Sequence, residues 1–256
     1  MATFLFDEII FGPVKSRRLG NSLGINLLPT DKKFCNFNCI YCECGWNKEP
    51  QKISFPTVDQ VKTALEDKLQ KMIEQKNIPD VITFAGNGEP TLHPHFKQII
   101  EVTVDVRNKL IPQCKIAVLT NSTTIHNQSV KESLVNIDLP FLKIDSAFED
   151  TIKLINNPVG KIDLKGIVDE IKKINHKAII QTMFVRGRLG NSAIDNTIPS
   201  ELNELVKIYK EINPQKIYIY SIARDTPLES LEKVTTDDLK KIAEFFKLYG
   251  ITVEVT

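Results

Sequence analysis

The chain of 256 residues predicts an α/β fold, an open, partial (β/α)6 barrel of the TIM-like kind. Three observations carry that expectation. Apolar runs of strand length alternate with amphipathic helical stretches, six or so such units follow in series, and no low-complexity or proline-rich linker divides them. Strands joined by helices run parallel with right-handed crossovers. Six units fall short of the eight that close a barrel, so the barrel stays open; a doubly wound, flavodoxin-like sheet is the alternative. The whole chain, 1–256, is expected to form a single domain, with 1–22 an N-terminal extension and 23–256 the partial barrel.

Residues 22–30 read as the first strand. Thr57 then opens a helix with a capping box, Thr57 against Gln60, and Val61, Leu65, Leu69 and Met72 continue one face. A short buried strand at 81–85 follows, with Gly86 beginning the loop after it, and a helix at about 94–110. Strands three to six fall at 115–121, 139–145, 178–185 and 216–222. Helical stretches near 161–174, 200–212 and 236–249 lie between or after them, and 251–255 reads as a closing or edge strand. The pentapeptide Arg-Leu-Gly-Asn-Ser occurs at 18–22 and again at 188–192. Its flanks do not repeat, which makes it a coincidence or two similar glycine turns.

Composition bounds the function. Hydrophobic residues at 42% and charged residues at 25% are those of a soluble globular chain. No apolar stretch approaches membrane-spanning length, and the N-terminus is a poor signal peptide, so a cytoplasmic protein with no membrane partner is expected. Balanced charge, 33 Lys+Arg against 32 Asp+Glu, argues against non-specific coating of nucleic acid. RNA stays open as a substrate through local basic loops at Lys15, Arg17 and Arg18, at Lys32 and Lys33, and at Arg186 and Arg188, although solvated surface charge explains each equally well.

Four of the five cysteines lie between 35 and 44, while Cys114 reads as a buried small hydrophobe. Cys35, Cys39 and Cys42 have the spacing C-x3-C-x2-C just after the first strand. Three thiolates on one loop can hold three corners of an iron–sulfur cubane and leave the fourth iron open. Cys44 is too close to Cys42 for easy chelation of a common metal atom. Zinc needs a distant second ligand pair, and neither the cysteines nor His93, His95, His126 and His176 provide one. Gly86, Asn87, Gly88 and Glu89 follow the second strand, where glycines let backbone approach a ligand closely. Polar residues also close later strands: Asn121 and Ser122 on the third, Asp145 and Ser146 on the fourth.

The cysteine spacing, with Tyr41 in the aromatic place, resembles the cluster loop of the radical S-adenosylmethionine (SAM) superfamily. The resemblance implies the radical SAM core, a partial (β/α)6 TIM-like barrel. It further implies a [4Fe–4S] cluster on Cys35, Cys39 and Cys42, with SAM chelating the unique iron and cleaved reductively to a 5′-deoxyadenosyl radical. Gly86-Asn87-Gly88-Glu89 is similar to the superfamily's Gly-Gly-Glu motif, which receives the SAM ammonium. Asn87 replaces a glycine there, and because asparagine tolerates left-handed backbone the turn is expected to survive. By the same analogy Asn121, Ser122, Asp145 and Ser146 should meet the ribose and carboxylate, and Gln181, Met183 or Val185 should lie near the adenine. A reductant protein such as a flavodoxin or ferredoxin is the implied electron source. The stretch from Phe11 to Gly24, with Cys35–Cys42 and the Gly-Glu-Pro-Thr-Leu-His-Pro run ending at Pro94, resembles the group classed near wyosine-tRNA synthases. That points to a tRNA base as substrate. A peptide- or protein-modifying enzyme or glycyl-radical activase is the alternative, and a non-catalytic iron–sulfur or zinc module the remote one.

Overall fold

The computed structural model describes residues 4–48, 53–174 and 177–256, and His176 lies outside the described residues. The chain opens with an antiparallel hairpin, β1 (Ile10–Ser16) and β2 (Gly20–Ile25). Next come α1 (Val58–Glu74), β3 (Val81–Phe84), a single 3-10 turn (Pro90–Leu92), α2 (Phe96–Leu110) and β4 (Lys115–Thr120). These are followed by α3 (Gln128–Asn136), β5 (Leu139–Lys143), α4 (Glu149–Asn156), α5 (Leu164–Lys172) and β6 (Ile179–Met183). A second hairpin, β7 (Val185–Leu189) and β8 (Ser192–Asp195), precedes α6 (Pro199–Ile212). The chain ends with β9 (Lys216–Tyr220), β10 (Leu231–Lys233), α7 (Thr236–Leu248) and β11 (Glu254–Val255).

Among the described residues the main sheet runs β1-β2-β3-β4-β5-β6-β9-β11, so spatial order repeats chain order. Every neighbouring pair from β2 to β11 is parallel. A doubly wound sheet would reverse its strand order at a switch point. This sheet winds one way only, which makes it the (β/α)6 partial barrel and excludes the flavodoxin-like alternative. Six parallel strands, β2, β3, β4, β5, β6 and β9, are each followed by a helical segment. The barrel is open because its two edge strands, β1 and β11, do not pair.

Side chains alternate across each strand. On one face Ile82, Phe84, Ile116, Val118, Leu142, Ile180 and Ile219 pack under the helices. On the other, Val81, Ala117, Phe141, Ile179 and Tyr218 meet in the lumen, with Leu19 of the first hairpin turn against them. These form an apolar floor at the N-terminal end of the strands. The C-terminal ends form the opposite rim, as in barrel enzymes generally.

The capping box on α1 is present in both directions, with Gln60 N donating to Thr57 Oγ1 at 3.2 Å and Thr57 N to Gln60 Oε1 at 2.8 Å. The first strand ends at Ile25 rather than at 30 because the Asn26 side chain takes over the backbone's partners. Its Oδ1 accepts from Leu28 N at 3.2 Å and from Asn87 N at 3.1 Å, turning the chain out of the sheet. Four features go beyond the sequence expectation: β1, α3, α4, and a small sheet ordered β10-β7-β8. Both copies of Arg-Leu-Gly-Asn-Ser lie at hairpin turns, with Gly20 at φ +70° and Gly190 at φ +58°. They are two glycine turns in different registers. No helix is long and apolar enough to cross a membrane among the described residues.

Candidate functional site

The loop carrying the cysteines folds over the rim and is tied to three strand ends. A parallel bridge joins Phe34 to Gly88, with Phe34 N donating to Asn87 O at 2.8 Å and Glu89 N to Phe34 O at 3.2 Å. Gly88 has φ +141°, and a Cβ there would lie 1.9 Å from the Phe34 carbonyl oxygen. The close approach that calls for glycine is therefore between two loops of this chain. Gly86, at φ +148°, likewise leaves room for Asn26, whose Oδ1 would be 2.5 Å from an added Cβ.

Asn87 corrects one expectation. Its backbone is not left-handed; the glycines on either side take the positive φ. Its side chain is fully buried and points into the N-terminal segment, accepting from Phe6 N at 2.8 Å and donating to Phe6 O and Pro29 O, both at 2.8 Å. Every polar atom of the Asn87 side chain is thus engaged in holding that segment. Glu89 is buried too. Its Oε1 accepts from Thr91 N (3.2 Å), Thr91 Oγ1 (2.6 Å) and Thr120 Oγ1 (2.7 Å), and its Oε2 from Asn121 N (2.6 Å). Burial raises its pKa, and these donors oppose the shift. The carboxylate braces the end of β4 against the glycine loop.

The three thiols face different neighbours. Asn121 Nδ2 donates to Cys35 Sγ at 3.8 Å and to Asn36 Oδ1 at 2.7 Å. Asn156 Nδ2, at the end of α4, donates to Cys39 Sγ at 3.4 Å. Burial pushes the Cys39 thiol up to about 11. Cys42 is held down to about 6, first by the Cys44 thiol and, against burial, by Lys33. Cys44 Sγ itself donates to Gly86 O at 3.4 Å, which ties it to the glycine loop. Three thiols remain, with amide donors on two of them, and this donor set fits a cubane bound through three corners. Among the described residues no three His, Cys, Asp or Glu side chains converge as a single-ion site.

Across the rim, Asp145 is buried at the end of β5. It accepts from the Tyr41 hydroxyl, from Asn156 Nδ2 at 2.7 Å and from Met183 N at 2.9 Å. Tyr41 is therefore the link between the cysteine loop and β5, and the same Asn156 that reaches Cys39 donates to Asp145. Lys143 stands 3.6 Å from Asp145 and 5.1 Å from the centroid of the Tyr41 ring. Asn156 and Lys143 were not singled out by sequence; Lys143 sits two residues before Asp145 on the same strand face, a pattern that would have marked it.

Two expected site residues turn away. Ser122 is buried with φ +70°, its hydroxyl donating to Lys143 O at 3.3 Å. Ser146 donates to Glu201 of α6, at 2.9 and 2.8 Å to its two oxygens. Gln181 points into the lumen below Met183, and Val185 spends its N–H on Asn196 Oδ1 at 2.8 Å. Among the basic loops, Arg17 is exposed at the opposite end of the barrel, on the turn before β2. Lys33 is buried and donates to Gly45 O at 3.0 Å. Arg186 is paired with Asp238 at 2.9 Å and Asp195 at 3.6 Å. Arg188, on β7 beside the rim, is exposed.

A three-thiol loop, a glycine–glutamate loop and a buried acid gathered at the C-terminal ends of six parallel strands define a class. The radical SAM superfamily model matches residues 32–193, and the chain belongs to that superfamily, whose enzymes use a [4Fe–4S] cluster and SAM. It is similar to a UPF0026 protein of Methanocaldococcus jannaschii, 32% identical over 93% of this chain and 71% of that protein. It is also similar to the protein named GTPase Obg of Brachyspira hyodysenteriae, 31% identical over 93% of this chain. The chain spans only 33% of the length of that relative. Its fold is similar to a radical SAM methyltransferase from Sphaerobacter thermophilus, with TM-score 0.68, 10% identity, and 92% of this chain and 65% of that one covered. It is similar as well to TYW1 with a lysine–pyruvate adduct bound, with TM-score 0.63, 15% identity, and 89% of this chain and 73% of that one covered.

Proposed function

We propose that this chain is a radical SAM enzyme in which Cys35, Cys39 and Cys42 hold the cluster, and that its substrate is a base of tRNA. The observation that supports the chemistry is the gathering of the three thiols, the Gly86–Glu89 loop and the Asp145 network at one rim. When bound, the cluster and SAM supply a 5′-deoxyadenosyl radical, given an electron from a flavodoxin- or ferredoxin-type protein. The chain's residues supply position. Glu89 fixes the end of β4 relative to the glycine loop, so the backbone of Gly86 to Gly88 presents a rigid edge to the cofactor. Tyr41 and Asn156 lock the cysteine loop to Asp145, and Met183 lies against that acid from β6. The loop covers the rim and, with buried Phe37 and Ile40, keeps water from the reacting side.

The tRNA reading rests on the likeness of the cysteine loop, the glycine–glutamate run and the N-terminal stretch to wyosine-tRNA synthases. Exposed Arg188 beside the rim is available to an RNA phosphate, whereas the 15–18 turn lies at the far end. A base reaches a buried rim only when turned out of its stack. Comparing modified nucleosides in tRNA from cells with and without the gene tests the substrate: one missing modification is expected, and an unchanged profile overturns it in favour of a peptide or protein substrate. Anaerobic reconstitution tests the chemistry. Release of 5′-deoxyadenosine after reduction is expected, and a colourless protein inert to SAM refutes it.

A further inference from the structure

Beneath the rim the lumen holds two cations, Lys143 and Arg18. The inward faces of β5, β6 and β9 carry three layers. By strand register Asp145, Met183 and Tyr220 stand at the top, Lys143, Gln181 and Tyr218 below them, and Phe141 and Ile179 at the floor. Arg18 enters the middle layer from the turn of the first hairpin. Its Nη1 donates to Gln181 Oε1, and its guanidinium carbon lies 4.7 Å from the centroid of the Tyr220 ring. Lys143 Nζ donates to the Tyr220 hydroxyl at 2.7 Å and lies 5.3 Å from the same centroid. Two cations thus converge on one tyrosine inside a barrel.

Their charge is only half matched. Lys143 pairs with Asp145 at 3.6 Å, so the two cations have one carboxylate between them. Arg18 pairs with no carboxylate among the described residues, and Gln181 is the one hydrogen-bond partner of its guanidinium there. A guanidinium has five N–H donors in a planar fork that matches a carboxylate or phosphate edge. A partly buried cation without a counterion is costly, and a structure that keeps one there has a use for it.

We propose that Arg18 and Lys143 form an oxyanion subsite in the lumen, which takes a carboxylate or phosphate group of the substrate and holds its remainder at the rim. This rests on the cofactors occupying the rim, and not on tRNA being the substrate. The subsite sets distance as well as affinity: a group anchored one layer below Asp145 and Met183 brings the adjoining atoms of the substrate up to the reacting side.

The test uses the reconstituted, SAM-loaded protein under anaerobic conditions, titrated calorimetrically with sodium acetate and with inorganic phosphate at constant ionic strength. Saturable binding of one of the two is expected. Preference for phosphate indicates a phosphorylated substrate, and preference for acetate a carboxylic acid. Arg18→Gln and Lys143→Gln are each expected to weaken binding at least tenfold, with Arg18→Lys recovering part of the loss. Arg18→Gln changes only a turn residue, so it stays informative if Lys143→Gln fails to fold. No saturable binding, or equal binding by wild type and Arg18→Gln, overturns the subsite. A lowered melting temperature in Arg18→Gln with unchanged anion affinity also overturns it, making Arg18 a seam contact only. SAM cleavage on the same samples separates the two readings. Cleavage without anion binding overturns the subsite alone, and anion binding without cleavage overturns the cofactor reading alone.

Discussion

At the scale of single residues, Asn156 ties the cysteine loop to Asp145, although the sequence did not mark it. One amide group donates to Cys39 Sγ, to the Tyr41 hydroxyl at 2.9 Å and to Asp145. A donor on a cluster sulfur stabilises the reduced, more negative state and raises the potential. Asn156→Ala should therefore lower the midpoint potential of the reconstituted cluster by roughly 20–60 mV. That range is the net worth of one hydrogen bond, about 0.5–1.5 kcal/mol, at 59 mV per tenfold for one electron. Redox titration followed by electron paramagnetic resonance measures it; an unchanged potential would show that the amide acts on Asp145 alone. The cysteines, Gly88 and Glu89 were legible in the sequence because their signal is local spacing. Asn156 was not, since it lies 117 positions from Cys39 and ends a short helix that no strong periodicity announces.

At the scale of elements, the cysteine loop and the glycine loop behave as one piece. Gly88→Ala places a methyl group where the Phe34 carbonyl oxygen stands, at a φ that side chains avoid, so the cysteine loop must move. Strain of about 1–3 kcal/mol is expected, together with less iron and sulfide per chain after reconstitution. Urea melts of the apoprotein and metal analysis read the two effects separately. The helices carry their own electrostatics. Glu170 on α5 is held at about 2 by hydrogen bonds from Lys131 of α3 and from Lys173. A carboxylate whose folded pKa is depressed contributes stability above its unfolded value of 4.5, and loses it as pH falls from about 4.5 to about 2. Glu170→Gln should flatten the acid limb of the stability profile across that window, and an unaltered limb would show the pair to be inert. The α3 and α4 helices escaped the sequence reading because they are 9 and 8 residues long and largely polar outside. The β1 strand escaped because its Pro-Val-Lys-Ser half is that of an exposed edge.

At the scale of the whole molecule, the order of strands was readable because each β/α unit packs beside the one before it. Six apolar runs separated by amphipathic stretches leave little choice but a singly wound sheet. Contacts across the open side were not readable, since no local pattern tells the turn at 18 that it will meet residues on β6 and β9. That crossing has a kinetic consequence. Arg18 and Gln181 are 163 positions apart, so their bond joins the first and last thirds of a chain whose other strand pairs are near neighbours. Loop closure over such a span is costly until the intervening sheet exists, which makes the bond a late event on the folding path. Late contacts act on unfolding rather than on folding. In stopped-flow measurements Arg18→Gln should leave the refolding rate unchanged and speed unfolding about fivefold, for a bond worth about 1 kcal/mol. The turn that brings charge into the lumen then also acts as the clasp that sets how long the open barrel stays shut.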